Sequence, residues 1–217
     1  MRNVSNLQGG PSLIDSLTES VAPVSRRRPG REMMILLAVL ALQLVGSMAV
    51  MSDSAQAVFT HNLPMATAKA LMFFGLAMGF GALAFRSFEP TSARHTNLAL
   101  AIGGLLATFG VVMLDKSFGG GVMNVLKPAN GVVCVVTSVS FSIPLFVALT
   151  MFMRGAAPTR PNMTALFIGV ASGSWGAFLY SLQCPFMNVA YVATWYGGAV
   201  AVSTLVAALV LPRLARW

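Results

Sequence analysis

Residues 33–51 read MMILLAVLALQLVGSMAVM, nineteen positions without a charge. At ~1.5 Å rise per residue, a helix of this length covers the ~30 Å hydrocarbon core of a bilayer. Five further apolar runs follow, Pro64–Phe85, Asn97–Leu114, Gly131–Met153, Met163–Leu182 and Tyr191–Leu211. In lipid the backbone must satisfy its own N–H and C=O groups, which leaves helices and closed barrels. The runs are continuously apolar and do not alternate, so they read as helices. The expected fold is an all-α integral membrane protein with six transmembrane helices. The transmembrane domain covers residues 33–211, with tails at 1–32 and 212–217.

Composition agrees. Hydrophobic residues make up 56% of the chain and charged residues 9%, against roughly 25% charged in soluble domains. A water-soluble fold could not cover its surface with so few charges. The net charge of +8 does not point to nucleic acid. The basic residues lie in short connections between apolar runs and form no stripe interleaved with aromatics. Arg2, Arg26, Arg27, Arg28, Arg31, Arg86, Arg94, Arg154, Arg160, Arg213 and Arg216 fall on one side of a six-span chain. Lys116, Lys127 and Lys69, near the outer start of the second run, fall on the other. Positive loops stay inside, so both termini are expected in the cytoplasm of a bacterial inner-membrane, multi-pass protein in contact with membrane lipid. Ser54-Ala55-Gln56-Ala57 has the small-residue look of a signal cleavage site. The run before it is longer than a signal core of roughly 7–15 residues, and an uncleaved anchor is expected.

Within the runs, Gly75 and Gly79, then Gly169, Gly173 and Gly176, recur at helical spacing and read as packing sites. Pro144 is expected to kink its helix. Tyr191, Trp195 and Tyr196 open the sixth run and read as an interfacial aromatic belt, and the methionines as apolar filling. Asp53, Glu89, His95 and Asp115 fall in loops or at run ends. Transporters and pumps usually place such groups inside the membrane, so a small exporter is disfavoured.

Two places can carry chemistry. The first is the cysteine pair. With Pro158 as the turning point between the fourth and fifth runs, Cys134 lies 24 residues before it and Cys184 lies 26 after it. At ~1.5 Å per residue both stand roughly 36–39 Å from the turn, at similar depth on the outer side. Packed helices lie about 8–10 Å apart, and a disulfide needs Cα atoms about 4.4–6.8 Å apart. The pair can therefore be a structural disulfide, a redox switch, a soft-metal site, or two unrelated buried thiols. Pro185 is expected to end the helix and expose Cys184 to the loop. His61 has no partner at ligand spacing, and no metal or cofactor is expected. A membrane thiol oxidoreductase is the rival from another class; such enzymes usually carry two cysteine pairs or one closely spaced pair. The second place is the tail. Ser12-Leu13-Ile14-Asp15 reads as a capping box. Leu13, Ile14, Leu17 and Val21 then recur at helical spacing, with Asp15 and Glu19 four apart, and Pro23 ends the pattern. An amphipathic helix with an acidic polar face suits a basic protein groove better than anionic lipid.

These features, in this order, resemble the NrsF family of membrane anti-sigma factors over nearly the whole chain. The resemblance is carried by the tail Leu13-Ile14-Asp15-Ser16-Leu17 and by Ala22-Pro23-Val24-Ser25-Arg26-Arg27. Cys134 with Pro144 ten residues on, and the turn Arg154-Gly155-Ala156-Ala157-Pro158-Thr159-Arg160-Pro161, add to it. Most specific is Tyr180-Ser181-Leu182-Gln183-Cys184-Pro185 followed by Trp195-Tyr196. Where the family often has a histidine before the cysteine–proline pair and acids after it, this chain has Gln183 and Phe186-Met187-Asn188. That takes away metal ligands and leaves thiol chemistry. The resemblance implies a non-enzymatic protein that sequesters an extracytoplasmic-function sigma factor at the membrane. Its tail residues Leu13, Ile14, Asp15, Leu17, Glu19 and Val21 would bind sigma. Cys134 and Cys184, with the loop motif Pro185, Trp195 and Tyr196, would sense oxidants or heavy metals.

Overall fold

The structure is a computed structural model that describes residues 29–50, 63–88, 104, 128–156, 158, 160–186 and 188–214. These residues form helices, with no strand among them. Helix α1 spans Pro29–Val50, α2 Leu63–Ser87, α3 Pro128–Ala156 and α4 Pro161–Ser181. Helix α5 covers Val189–Leu214 and includes one π-helical segment, Val192–Tyr196. All five are long and apolar enough to cross a membrane. They match five of the six runs to within four residues at each end. The remaining run, Asn97–Leu114, lies outside the described residues apart from the helical Gly104. The tail helix over Ser12–Val21 lies outside them entirely.

The outer surface of the bundle is apolar. Leu42 is 75% exposed, and Met34 and Leu71 are each 68% exposed. Such a surface is at ease in hydrocarbon and not in water. The inside is close-packed around α4, which touches α2, α3 and α5. Since lipid tails are as apolar as leucine, helices in a membrane associate through close approach of small residues. That is what Gly169, Gly173 and Gly176 do. A methyl at Gly169 would come within 2.6 Å of Thr204 Cα, and one at Gly173 within 2.9 Å of Val200 Cα, both in α5. A methyl at Gly176 would overlap the Ser138 carbonyl of α3. Gly75 and Gly79 differ: nothing described lies within contact of them, and they line an apolar groove of about 830 Å³ beside the start of α5.

Helix α3 runs on through Pro144. Proline withholds the N–H that the carbonyl four residues earlier would have used, and the adjacent carbonyl, that of Phe141, is taken by another helix. Gln43 Nε2 of α1 donates to Phe141 O at 2.7 Å, and Trp175 Nε1 of α4 donates to Gln43 Oε1 at 3.2 Å. A side-chain amide at membrane depth thus ties α1 to both members of the central hairpin.

Helices α3 and α4 are joined by the short turn between Ala156 and Pro161. Pro161 opens α4, where its missing N–H costs nothing. The hairpin therefore brings the start of α3 beside the end of α4. The starts of α2 and α5 and the end of α1 gather at that same end, through contacts of Phe73, Tyr191 and Ser47.

Candidate functional site

Cys134 sits in the second turn of α3 and is fully buried. Helix α4 closes at Ser181, and the chain folds over one carbonyl: Gln183 N–H and Cys184 N–H both donate to Tyr180 O at 3.1 Å. Pro185 has no N–H with which to continue the helix. Sequence reasoning expects this ending to expose Cys184, and the structure corrects that. Cys184 is only 2% exposed, while Pro185 takes the outer position. The cause is that the chain beyond Cys184 is drawn inward against α2. Lys69 Nζ donates to Cys184 O at 2.9 Å and to Phe186 O at 3.3 Å.

Cys134 and Cys184 belong to one buried cluster with Phe73, Ala177, Tyr191, Val192 and Tyr196. Both are free thiols. The cluster is roofed by aromatic rings. Tyr196 stacks on Phe73 at 5.3 Å and meets Tyr180 at 5.9 Å, and Phe186 meets Tyr191 at 4.7 Å. Trp195, half-buried, lies over Gly131 one turn before Cys134, where any β-carbon would overlap its ring.

The aromatic-belt reading of Tyr191 and Tyr196 is corrected here. Both are fully buried in protein, not set at an interface. The π-helical segment explains how two residues five apart reach one pocket. At ~100° per residue in a regular α-helix they would point roughly 140° apart. The wider π turn brings positions i and i+5 nearly into line. Asn188 starts this helix by accepting from Ala190 N at 2.9 Å and Tyr191 N at 3.4 Å, a conventional N-cap.

The pocket has unused polar capacity. Ser138 Oγ, Tyr191 OH and Tyr196 OH are buried without a hydrogen-bond partner among the described residues. Lys69, 4% exposed, has its ammonium 5.6 Å from the Tyr196 ring centroid. Chemically this is a pair of thiols inside an aromatic wall, with hydroxyl donors and one cation beside them. The thiolate is what attacks an oxidant or binds a soft metal, and Lys69 is of the charge sign that accompanies a thiolate. Two sulfurs alone suit a two-coordinate soft ion. No group of three or more His, Cys, Asp or Glu occurs among the described residues.

Gln183, beside Cys184, is buried and donates from Nε2 to Ser47 O of α1 at 3.2 Å. The cysteine turn is therefore gripped from two sides, by Lys69 of α2 and through Gln183 by α1. Of the sequence-derived site residues, the structure gathers Cys134, Cys184 and Tyr196 in the pocket, with Trp195 at its edge and Pro185 outside it. The tail residues Leu13, Ile14, Asp15, Leu17, Glu19 and Val21 lie outside the described residues. Sequence reasoning missed Lys69, Ser138 and Tyr191 as members of the pocket. The signal for Lys69 was available: an ionisable residue inside an apolar run faces the bundle interior far more often than lipid.

A family model described as NrsF, negative regulator of sigma F, matches residues 17–217 of the chain. The anti-sigma-F factor NrsF of Caulobacter vibrioides is 33% identical over 75 residues, 35% of either chain. A probable anti-sigma-F factor NrsF of Azospira oryzae is 29% identical over 84 residues, 39% of either chain. These matches thus span under half the length of the curated relatives. No solved structure matches.

Proposed function

The chain belongs to the NrsF family, and on that premise we propose that it is a membrane-embedded anti-sigma factor with a two-cysteine sensor. It sits in the bacterial inner membrane with six spans and both termini in the cytoplasm. The tail helix, through Leu13, Ile14, Leu17 and Val21 with Asp15 and Glu19, holds an extracytoplasmic-function sigma factor away from the transcription machinery. Oxidants or thiophilic heavy metals act on Cys134 and Cys184 from the envelope side, and sigma is released.

The observation that carries this reading is the burial of both cysteines in one aromatic-walled cluster, although fifty residues of chain separate them. Disulfide formation there removes two protons and two electrons, which the oxidant accepts; a soft cation would instead displace the two protons. Either event changes the packing of α3 against the end of α4. Gln183 links that end to α1, the helix that follows the tail directly. A signal can shift a two-state equilibrium only by its differential free energy for the two states, and thiol–disulfide exchange supplies several kcal/mol. The sixth crossing is supported by its neighbours. Helix α2 begins beside the cysteines and ends beside Met153 and Leu211, while α3 begins beside the cysteines again.

The test is co-purification of sigma from detergent extract, with thiols trapped before and after oxidant, for the whole chain and for a chain lacking Ser12–Val21. The intact chain retains sigma until oxidant closes the cysteine pair, and the deleted chain leaves sigma in the cytosol. Retention that survives the deletion unchanged would move the contact to the cytoplasmic loops. Release with both thiols still open would remove the cysteines from the mechanism.

A further inference from the structure

Lys69 is the one charged side chain that is buried among the described residues. A lysine near the end of a membrane helix ordinarily extends its stem so that the ammonium reaches water. This one turns inward. Its ammonium has three N–H donors. Two go to the carbonyls of Cys184 and Phe186, and the Tyr196 ring stands on a further side. Glu32 is the only carboxylate residue described, and it lies at the far end of α1. The ammonium is held instead by carbonyl dipoles and a ring face. It also lies just past the C-terminal end of α4, where the helix dipole favours a cation.

The turn needs such a tie. Cys184, Pro185 and Phe186 follow the last helical turn of α4 and precede the N-cap of α5 at Asn188. The two carbonyls flank Pro185, which can donate nothing. Cys134 is fixed by α3, whereas Cys184 lies on no helix. The side chain that fixes the Cys184 carbonyl comes from 115 residues away in the chain.

We propose that Lys69 is the positioning residue of the cysteine site, its ammonium holding the Cys184-Pro185-Phe186 turn against α2 so that the Cys184 sulfur stays in the pocket with Cys134. This deepens the two-cysteine reading and takes its biological meaning from it.

The test uses the full chain in detergent, without sigma and without inducer. Wild type, Lys69→Met and Lys69→Arg are pulsed with N-ethylmaleimide, and modification of each cysteine is read by peptide mass spectrometry. Lys69→Met is expected to raise the modification rate of Cys184 by about tenfold through local opening, with Cys134 changed less than about threefold. Lys69→Arg, which keeps charge and donors, stays near wild type. Where Lys69→Met does not accumulate, Lys69→Gln takes its place with the same expectation. A rise shared equally by both cysteines, no rise, or an arginine variant that behaves like methionine would overturn the positioning role. Sigma co-purification run in parallel separates the two readings. Selective opening of Cys184 with sigma held and still oxidant-responsive sustains Lys69 in its role and counts against the sensor. Uniform opening overturns Lys69 and leaves the sensor standing.

Discussion

Gly176→Ala should destabilise the bundle by about 2 kcal/mol, and the reason is local. Gly176 of α4 lies against the backbone of α3, so its new methyl would overlap Ser138 O and come within 2.9 Å of Ser142 N. Neither neighbour is the end of a flexible side chain that can swing away. Helix α3 must move as a body, by on the order of 1 Å. Overpacking of a close-packed interior costs about 1–3 kcal/mol, and a clash with backbone falls at the upper end. Against this, alanine gains about 1 kcal/mol over glycine in a helix interior. The net, about 2 kcal/mol, is roughly a thirtyfold change in the folding equilibrium. Ser138 is one turn from Cys134, so the same movement carries that sulfur away from its partner. The assay is reversible unfolding in mixed micelles followed by tryptophan fluorescence, with oxidant-driven closure of the cysteine pair as a second readout. Gly46→Ala is the internal control, because no described residue lies within 4 Å of its added methyl; it should be neutral or stabilising by up to ~1 kcal/mol. A Gly176→Ala chain as stable as wild type, with the cysteine pair closing at the usual rate, would refute the close α3–α4 approach.

Three further outcomes are expected. Cys134→Ser and Cys184→Ser should each abolish the response to oxidant or metal while leaving sigma retained, read by a sigma-dependent reporter; a single mutant that responds normally would break the pair model. Gln183→Leu removes the bond to Ser47 O but also removes Gln183 Oε1, which is buried without a partner among the described residues, so stability should change by less than about 1 kcal/mol. Thiol trapping should still show the pair closing while sigma release is blunted. Tyr196→Phe deletes a buried hydroxyl that, among the described residues, has no partner beyond the neighbouring cysteine sulfurs and should change stability by less than about 1 kcal/mol, whereas Tyr196→Ala loses the stack on Phe73 and about 3–5 kcal/mol, both measured by the same unfolding assay.

How much of this could be read from the sequence follows from what hydropathy encodes. Helix positions were legible because an uninterrupted apolar run of spanning length has one physical solution in lipid. The depth match of Cys134 and Cys184 was legible because the hairpin turn at Pro158 fixes the count along two straight helices. Which side of a helix faces inward was not legible. Helices that are apolar all round carry no stripe to mark the core. Tyr191 and Tyr196 therefore read as interfacial, and only the π-helical segment shows that they share the pocket. In the sequence Lys69 reads as an outer-edge residue, because a single charge near the end of an apolar run marks topology alone. Its carbonyl partners lie across the fold and leave no mark in local sequence. The burial of Cys184 was missed for the same reason, since the bond that draws it inward comes from α2. The tail helix and the run Asn97–Leu114 lie outside the described residues, so the proposed sigma-binding surface rests on the periodicity of Leu13, Ile14, Leu17 and Val21; the family match begins at residue 17.

The most direct measurement is disulfide mapping in intact membranes before and after oxidant, with sigma retention quantified in the same samples. The account predicts one linked peptide pair, Cys134 with Cys184 in a single chain, rising in step with the loss of sigma from the membrane fraction. Full loss of sigma while both peptides remain separately alkylated would contradict it.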